Sequence, residues 1–417
     1  MPTVVAVGSA TLVRDIDTGG SSNPQHLTAF HGGVAFSARD DAHGRELWLT
    51  SGGSTKRLGD IAPGAASSSP GELTLIGDTL YFTADDGTHG RELWKTDGTG
   101  AGTKRVKDIR SGSAGSKPAH LTAFRGKVFF AAGDGVHGRE LWKSDGSSAG
   151  TRMVKDIQAH GSSLYSSGFD LPDTWVVLGD RLYFGVQFDN LGLWRTDGTR
   201  AGTKRVYPDV YPQAMVATSS RLFFHGITTG CAADDVLFTS DGTGGGTHMV
   251  SPASQADPVV AFKGHGYFVM GRSGPGRRLY RASGTWNPSS EVLPKVKVDA
   301  GTHIQSVGGA LFLSQDGGLS ISDGYGAHTV KLGDTDSGFV GLVDVAKMDG
   351  LWYFPGGFGS HGSDIWQTDG TPGGTVLASP VDLDGAHDLR SLVRSGSSIW
   401  FTADDGVHGR ELWRYVP

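Results

Sequence analysis

The segment ADDGTHGRELWKTDGTGAGTKRVKDI, residues 84–109, keeps returning along this chain. Close copies read RDDAHGRELWLTSGG at 39–53, AGDGVHGRELWKSDGSSAGTRMVKDI at 132–157 and ADDGVHGRELW at 403–413. Weaker copies read LGLWRTDGTRAGTKRV at 191–206, DVLFTSDGTGGGTHMV at 235–250 and HGSDIWQTDGTPGGTV at 361–376, and the faintest are RLYRASGTW at 278–286 and GLSISDGYG at 318–326. The Trp position falls at Trp48, Trp94, Trp142, Trp194, Phe238, Tyr280, Ser320, Trp366 and Trp413, at intervals between 40 and 52 residues. Nine units with a period in the forties predict a repeat architecture rather than the several domains that 417 residues would otherwise suggest.

Within the third unit, HLTAFRG (120–126), KVFFAAG (127–133), RELWKSDG (139–146) and TRMVKDI (151–157) read as four short strands separated by Gly-containing turns. Four antiparallel strands per unit is a propeller blade. The Asp-Gly-Thr after the Trp strand predicts a hairpin turn in which Gly98, Gly146, Gly198 and Gly242 supply positive φ. The last unit stops at ELWRYVP, after its Trp strand, whereas ATLVRDI (10–16) is a fourth strand with no unit before it. Joined, they complete one blade and close the ring, removing exposed sheet edges. The expectation is an all-β chain, a single closed β-propeller over 1–417, with residues 10–16 closing on 391–417. It has nine four-stranded blades, or eight if the unit around Ser320 merges with a neighbour.

The motif Glu-Leu-Trp-x-x-Asp-Gly-Thr, intact at Glu92–Thr99 and nearly so at Glu140–Ser147, resembles the bacterial ELWxxDGT repeat family. The likeness spans essentially the whole chain, with units five to seven departing from the motif. The resemblance implies a propeller and leans towards a secreted or cell-surface protein; it carries over no catalytic residue.

A net charge of −6 with interleaved signs favours neither nucleic acid nor an anionic membrane, and no apolar run reaches 18 residues, so no membrane insertion is expected. The N-terminus MPTVVAVGSATLVRDI lacks the basic start of a signal peptide. Cys231 is alone and reads as a small apolar filler. No cofactor or metal is expected, and the chain is expected to act as a monomer.

A residue present in every blade is structural, because one active site needs its chemistry once. His43, His89, His137, His361 and His408 all precede the blade Trp by five residues and read as loop hydrogen-bonding groups. The turn Asp97, Asp197, Asp241 and Asp369 read the same way, and Arg91–Glu92 and their copies are expected to pair blade to blade. Gly146-Ser147-Ser148-Ala149-Gly150 matches GxSxG but lies between two strands, where a nucleophile elbow needs a strand and a helix.

The singular residues point to a site. Ten residues before the second-strand Phe, each unit begins its innermost strand with His26, Glu72, His120, Thr174, Ala214, Pro258, His303, Asp344 and Ser391 in turn. This ring is expected to face the mouth of the central channel, where convergent loops form ligand sites. His26, Glu72 and His120 are acceptable metal ligands by type, but successive blades hold them apart. The long loop 158–173 adds Tyr165 and Phe169 ahead of Thr174 and Trp175, and residues near Arg390 add His387 and Asp388. The expected function is recognition of a glycan or protein ligand by His26, Glu72, His120, Thr174, Trp175, His303 and Asp344. The alternative is an enzyme at the same mouth, such as a polysaccharide lyase, glycan hydrolase or cyclising enzyme. There His303 or His120 would move a proton, Tyr165 would assist and Arg390 would neutralise a carboxylate.

Overall fold

Each unit folds as its alternation predicts. The computed structural model describes residues 8–158, 161, 164, 175–228, 235–251, 259–270, 278–283, 290–291, 302–315, 318–325, 329–334, 344–356, 364–379 and 389–417. Its strands form nine antiparallel four-stranded sheets arranged as a β-propeller, and the described residues contain no α-helix. Blade 2 is typical, running outward from Gly71–Ile76 through Thr79–Asp85 and Arg91–Thr96 to Lys104–Arg105. Blade 9 takes its outermost strand, Ser9–Arg14, from the start of the chain, paired antiparallel to Arg410–Val416.

One register holds around the ring. The second-strand aromatic faces the Trp position of the third strand in Phe36–Trp48, Phe82–Trp94 and Phe130–Trp142. The same pairing persists where the motif has decayed, in Phe224–Phe238, Phe268–Tyr280 and Leu313–Ser320. The unit around Ser320 is therefore a blade of its own. Side chains on both sheet faces are buried because each blade is sandwiched between two others. Trp142 packs on Val106 and Ile109 from the preceding blade, and Trp94 lies against the Leu58–Ile61 cluster. Phe36, Phe82, Phe130, Phe184, Phe224 and Phe268 are fully buried in these seams. Each contributes about 1.5–3 kcal/mol by area.

The Asp-Gly-Thr turn is a closed hydrogen-bond device. Asp97 accepts from the Thr99 amide and hydroxyl at 2.9 and 2.7 Å, and the Thr99 hydroxyl in turn accepts from Gly102 N at 2.9 Å. Gly98 has φ +86°, and a Cβ on Gly102 would fall 2.0 Å from the Asp97 carboxylate. Asp145, Asp197, Asp241 and Asp369 repeat the arrangement. Ser147 of the GxSxG match is part of one such turn, between strands Arg139–Ser144 and Arg152–Lys155.

The Glu of the motif is fully buried and clamps the connector that leads to the next blade. Glu92 accepts from Arg110 N, Ser116 N and the Ser116 hydroxyl, the last at 2.5 Å. Glu46 does the same for Ile61, Ala62 and Ser68, and Glu411 for Ile16 and Ser22. Ile157 N donates to Glu140 at 2.9 Å. The expected blade-to-blade pairing of Arg with Glu is thus corrected. The Glu serves amides that a turning connector cannot pair in a ladder. The Arg reaches a different connector, the one that enters its own blade: Arg91 Nη1 donates to Ser69 O at 2.9 Å.

Candidate functional site

The innermost strands of blades 9, 1, 2 and 3 touch one another in turn, as they do in a propeller whose first strands surround the central axis. Five of the nine expected ring residues share an unusual backbone: His26, Glu72, His120, Ala214 and Ser391 have φ between 45° and 61°. Each sits in a β-bulge, since pairing slips between Gln25 and Thr28, Gly71 and Thr74, Ala119 and Thr122, Gln213 and Val216, and Arg390 and Val393. A left-handed conformation costs a non-glycine residue roughly 1–2 kcal/mol. In a chain with 66 glycines, none of these five is glycine. In blades 1–3 a threonine two residues on braces the bulge: Thr28, Thr74 and Thr122 donate to the carbonyls of His26, Glu72 and His120 at 3.0, 3.1 and 2.9 Å.

The ring side chains reach from blade to blade. A Cβ on Gly71 would stand 3.7 Å from His26 Nε2, which places that imidazole against the start of blade 2. Glu72 accepts from Leu121 N at 3.1 Å, and Asp344 accepts from Ser391 N; in both cases a ring carboxylate holds the bulge of the next blade. Burial raises the Asp344 carboxyl above its ordinary value, against the amides of Ser391 and Leu392, which lower it. Burial lowers the His26 imidazole, Arg45 and Arg91 lower it further, and Glu72 opposes them.

Two expectations change in detail. Trp175 is buried, 6% exposed, and packs on Phe184; it lies under His120, ring centroids 5.8 Å apart and planes 25° from parallel. It offers no exposed face for a ligand and instead fixes the His120 ring. His303 is exposed, but its strand pairs without a bulge and puts it opposite Ser314, the place Gln25 takes opposite Ser37. It stands one register position outside the ring. Arg390 is exposed immediately before Ser391. Tyr165, Phe169, Thr174, Cys231, Pro258, His361, His387 and Asp388 lie outside the described residues. Among the described residues no three His, Cys, Asp or Glu side chains converge as metal ligands.

Four of the five loop histidines make the loop hydrogen bonds expected of them. Nδ1 of His43, His89, His137 and His408 meets Asp40, Asp86, Asp134 and Asp405 at 2.9, 2.8, 2.7 and 2.6 Å. The sequence reading missed the buried role of the motif Glu and the bulge at the ring. The constancy of Glu in units with long connectors signals the first. The second has no signal in residue type, since His, Glu, Ala and Ser share the conformation.

The fold is a nine-bladed β-propeller in which five ring positions of the innermost strands, His26, Glu72, His120, Ala214 and Ser391, carry side chains on strained bulges. Among solved structures the chain resembles prolyl endopeptidases, at 13% identity over 80% of this chain and 54% of theirs, TM-score 0.42. It also resembles a puromycin-hydrolysing peptidase of Mycobacterium tuberculosis, at 12% identity over 80% of this chain and 58% of the other, TM-score 0.41. For tricorn protease the figures are 12% identity, 93% and 43%, with a TM-score of 0.29. The chain spans about half the length of these proteins, and likenesses at this level say nothing about activity. No family model matches the chain, and no curated protein is similar to it in sequence.

Proposed function

We propose that this protein is a binding propeller that recognises a glycan or protein ligand at the channel mouth, with His26, Glu72 and His120 in contact with it. The observation that carries the reading is the strained ring: at least five side-chain-bearing residues held left-handed at one entrance, differing in identity where the rest of each blade repeats. Strain of this kind collects at ligand sites, where the surrounding structure sustains it. Against a hydrolytic reading, Glu72 and Asp344 lie on blades 2 and 8 and each holds the backbone of its neighbour. The proposal includes membership of the ELWxxDGT repeat proteins, for the motif now has a physical role at each position: Glu clamps a connector, Trp fills a seam and Asp-Gly-Thr closes a turn.

Affinity electrophoresis through neutral and acidic polysaccharides, with the same mixtures assayed for chain shortening, tests the reading. Retardation without shortening is expected, weakened several-fold in His26→Ala and His120→Ala while the melting temperature holds. Shortening abolished by His120→Ala or His303→Ala would replace the binder with the enzyme. Retardation that is indifferent to both mouth variants would remove the site.

A further inference from the structure

We propose that the outer rim of blades 1–4 is a second binding surface, a stepped row of solvent-facing cations that takes an acidic polysaccharide laid around the outside of the propeller. The inference goes beyond the binding reading above and does not depend on it. Register fixes the row. The residue after the Trp position pairs across the ladder with one residue of the outermost strand. Around blades 1 to 9 that residue is Lys56, Lys104, Arg152, Lys204, His248, Ser290, Val330, Val376 and Thr11. Fixed positive charge therefore fills the position on four consecutive blades and on none of the other five.

On blades 2, 3 and 4 the opposing residue is itself a cation, giving the pairs Lys95–Lys104, Lys143–Arg152 and Arg195–Lys204. Like charges directly opposite each other weaken a sheet. Burial lowers the Lys143 ammonium below its ordinary value, and Arg152 across the ladder lowers it further. The inner member of each pair belongs to the scaffold. Lys143 Nζ donates to Gly198 O at 2.7 Å and Arg195 Nη1 to Gly242 O at 2.9 Å, each in the turn of the next blade. The outer member is left to water. Lys56, Lys104, Arg152 and Lys204 are exposed, as is Arg205 beside the last, and among the described residues none of these side chains makes a hydrogen bond or an ion pair. The turn aspartates that end the same hairpins, Asp97, Asp145 and Asp197, accept from the hydroxyls of Thr99, Ser147 and Thr199.

Cations on an edge strand also deter edge-to-edge pairing. Every blade has such an edge, however, and blades 6 to 9 carry Ser290, Val330, Val376 and Thr11 at this position. Edge protection thus does not account for a row restricted to one arc. The shape of the row selects its occupant. Nine blades turn the rim by about 40° at each step, so the cations face outward over a convex arc. A flat anionic membrane meets only a blade or two of such an arc. A nucleic-acid duplex, stiff over about 150 base pairs, follows it only at an elastic cost. Single-stranded nucleic acid is held on aromatic stacking platforms, and the exposed aromatic among the described residues, Tyr325, stands on blade 7. A flexible polysaccharide with a carboxylate on each sugar bends with the arc and needs only complementary charge at intervals.

Affinity electrophoresis through polygalacturonate and through its methyl ester, which share a backbone and differ in charge, tests the row. Retardation by the acid is expected to exceed that by the ester about tenfold at low salt and to fade as salt rises. Lys104→Glu, Arg152→Glu and Lys204→Glu together should remove the difference between acid and ester. The melting temperature should hold or rise, because three repulsive pairs become attractive ones. The triple variant keeps a charge on each edge, so lost binding in a folded, soluble protein separates recognition from edge protection. Should it fail to fold, Lys104→Gln and Lys204→Gln singly should each weaken retardation about two- to fivefold. A control that takes the same charge from loops at the other end of the blades, Arg39→Glu with Arg110→Glu and Lys117→Glu, should keep most of the retardation. Equal loss in both triples would mean that only net charge is felt, and overturns the inference, as does equal retardation by acid and ester. Retardation by the acid that survives the rim triple and disappears in His26→Ala overturns the rim alone and leaves the mouth reading standing. Duplex DNA held more tightly than polygalacturonate overturns the polysaccharide assignment.

Discussion

After blade 2 the chain leaves the outer strand at Arg105, turns through a long connector and re-enters at Ala119; between blades 4 and 5 it passes from Pro208 to Val210 through Asp209 alone. The two joints solve one problem differently. A turning connector has amides that no strand can pair, and Glu92 collects them on a buried carboxylate. Where the outer strand runs on, the ladder itself pairs Leu193 with Tyr207 and Gly192 with Pro208. Gly192 occupies the Glu position there, and a Cβ on it would come within 2.4 Å of Tyr207 O. The carboxylate is thus a feature of the connector rather than of the blade. It also follows that the arc with clamped connectors is the arc whose loops surround His26, Glu72 and His120.

The largest effect that can break this comparison is removal of one clamp. Glu92→Ala should cost about 3–5 kcal/mol, because several connector donors lose a buried partner at once. Glu92→Gln, which keeps an acceptor oxygen, should cost about 1–2 kcal/mol. Urea unfolding of both variants measures the difference. A loss below about 1 kcal/mol for the alanine variant would mean that the connector holds itself, and the contrast between the two joints would lose its cause.

A smaller effect should be blind to the arcs. The Asp-Gly-Thr turn is the same on both, with Gly102 in blade 2 and Gly246 in blade 5 each set so that a Cβ would fall 2.0 Å from the turn aspartate. Gly102→Ala and Gly246→Ala should each cost about 1–3 kcal/mol, and by equal amounts. If the two differ by more than the measurement error, the arcs differ in their turns as well as in their joints.

What could be read from the residues follows the same division. Strand order, the Phe–Trp register and the closing strand were legible because hydrophobic alternation and Gly-marked turns are local signals that survive even at Ser320, where both aromatics are gone. The ring position was legible as a column of unlike residues ten places before Phe. Its bulge was not, because a slip in pairing depends on the neighbouring strand and leaves His26 and His303 alike in sequence spacing. Trp175 misled for a related reason: an aromatic at the end of a long loop reads as exposed, while burial under His120 is set by the seam between blades 3 and 4.

Acid stability separates the clamps from the turns at the smallest scale. Burial raises Glu46, Glu92 and Glu411 above the ordinary carboxylate value, against the serine and backbone donors that lower them. A raised value in the folded state means that these groups take up protons more readily folded than unfolded. Their share of stability is complete at low pH and diminishes as pH rises through the folded value, so they do not drive acid unfolding. The turn aspartates have the opposite sign. The hydroxyls and amides of Thr99, Ser147, Thr199, Thr243 and Thr371 lower Asp97, Asp145, Asp197, Asp241 and Asp369, with Asp145 brought from 3.8 to about 2. Their share is present above the ordinary value and is lost as pH falls through the folded one. Melting temperatures taken between pH 4 and pH 2 should therefore fall less steeply in Asp145→Asn, which keeps the turn acceptor without the proton. Glu92→Gln should fall as steeply as the wild type or more so, since it removes a group that resists acid. A flatter profile in the glutamine variant would place the acid-sensitive charge in the connectors of one arc, where the hydrogen bonds described above leave no room for it.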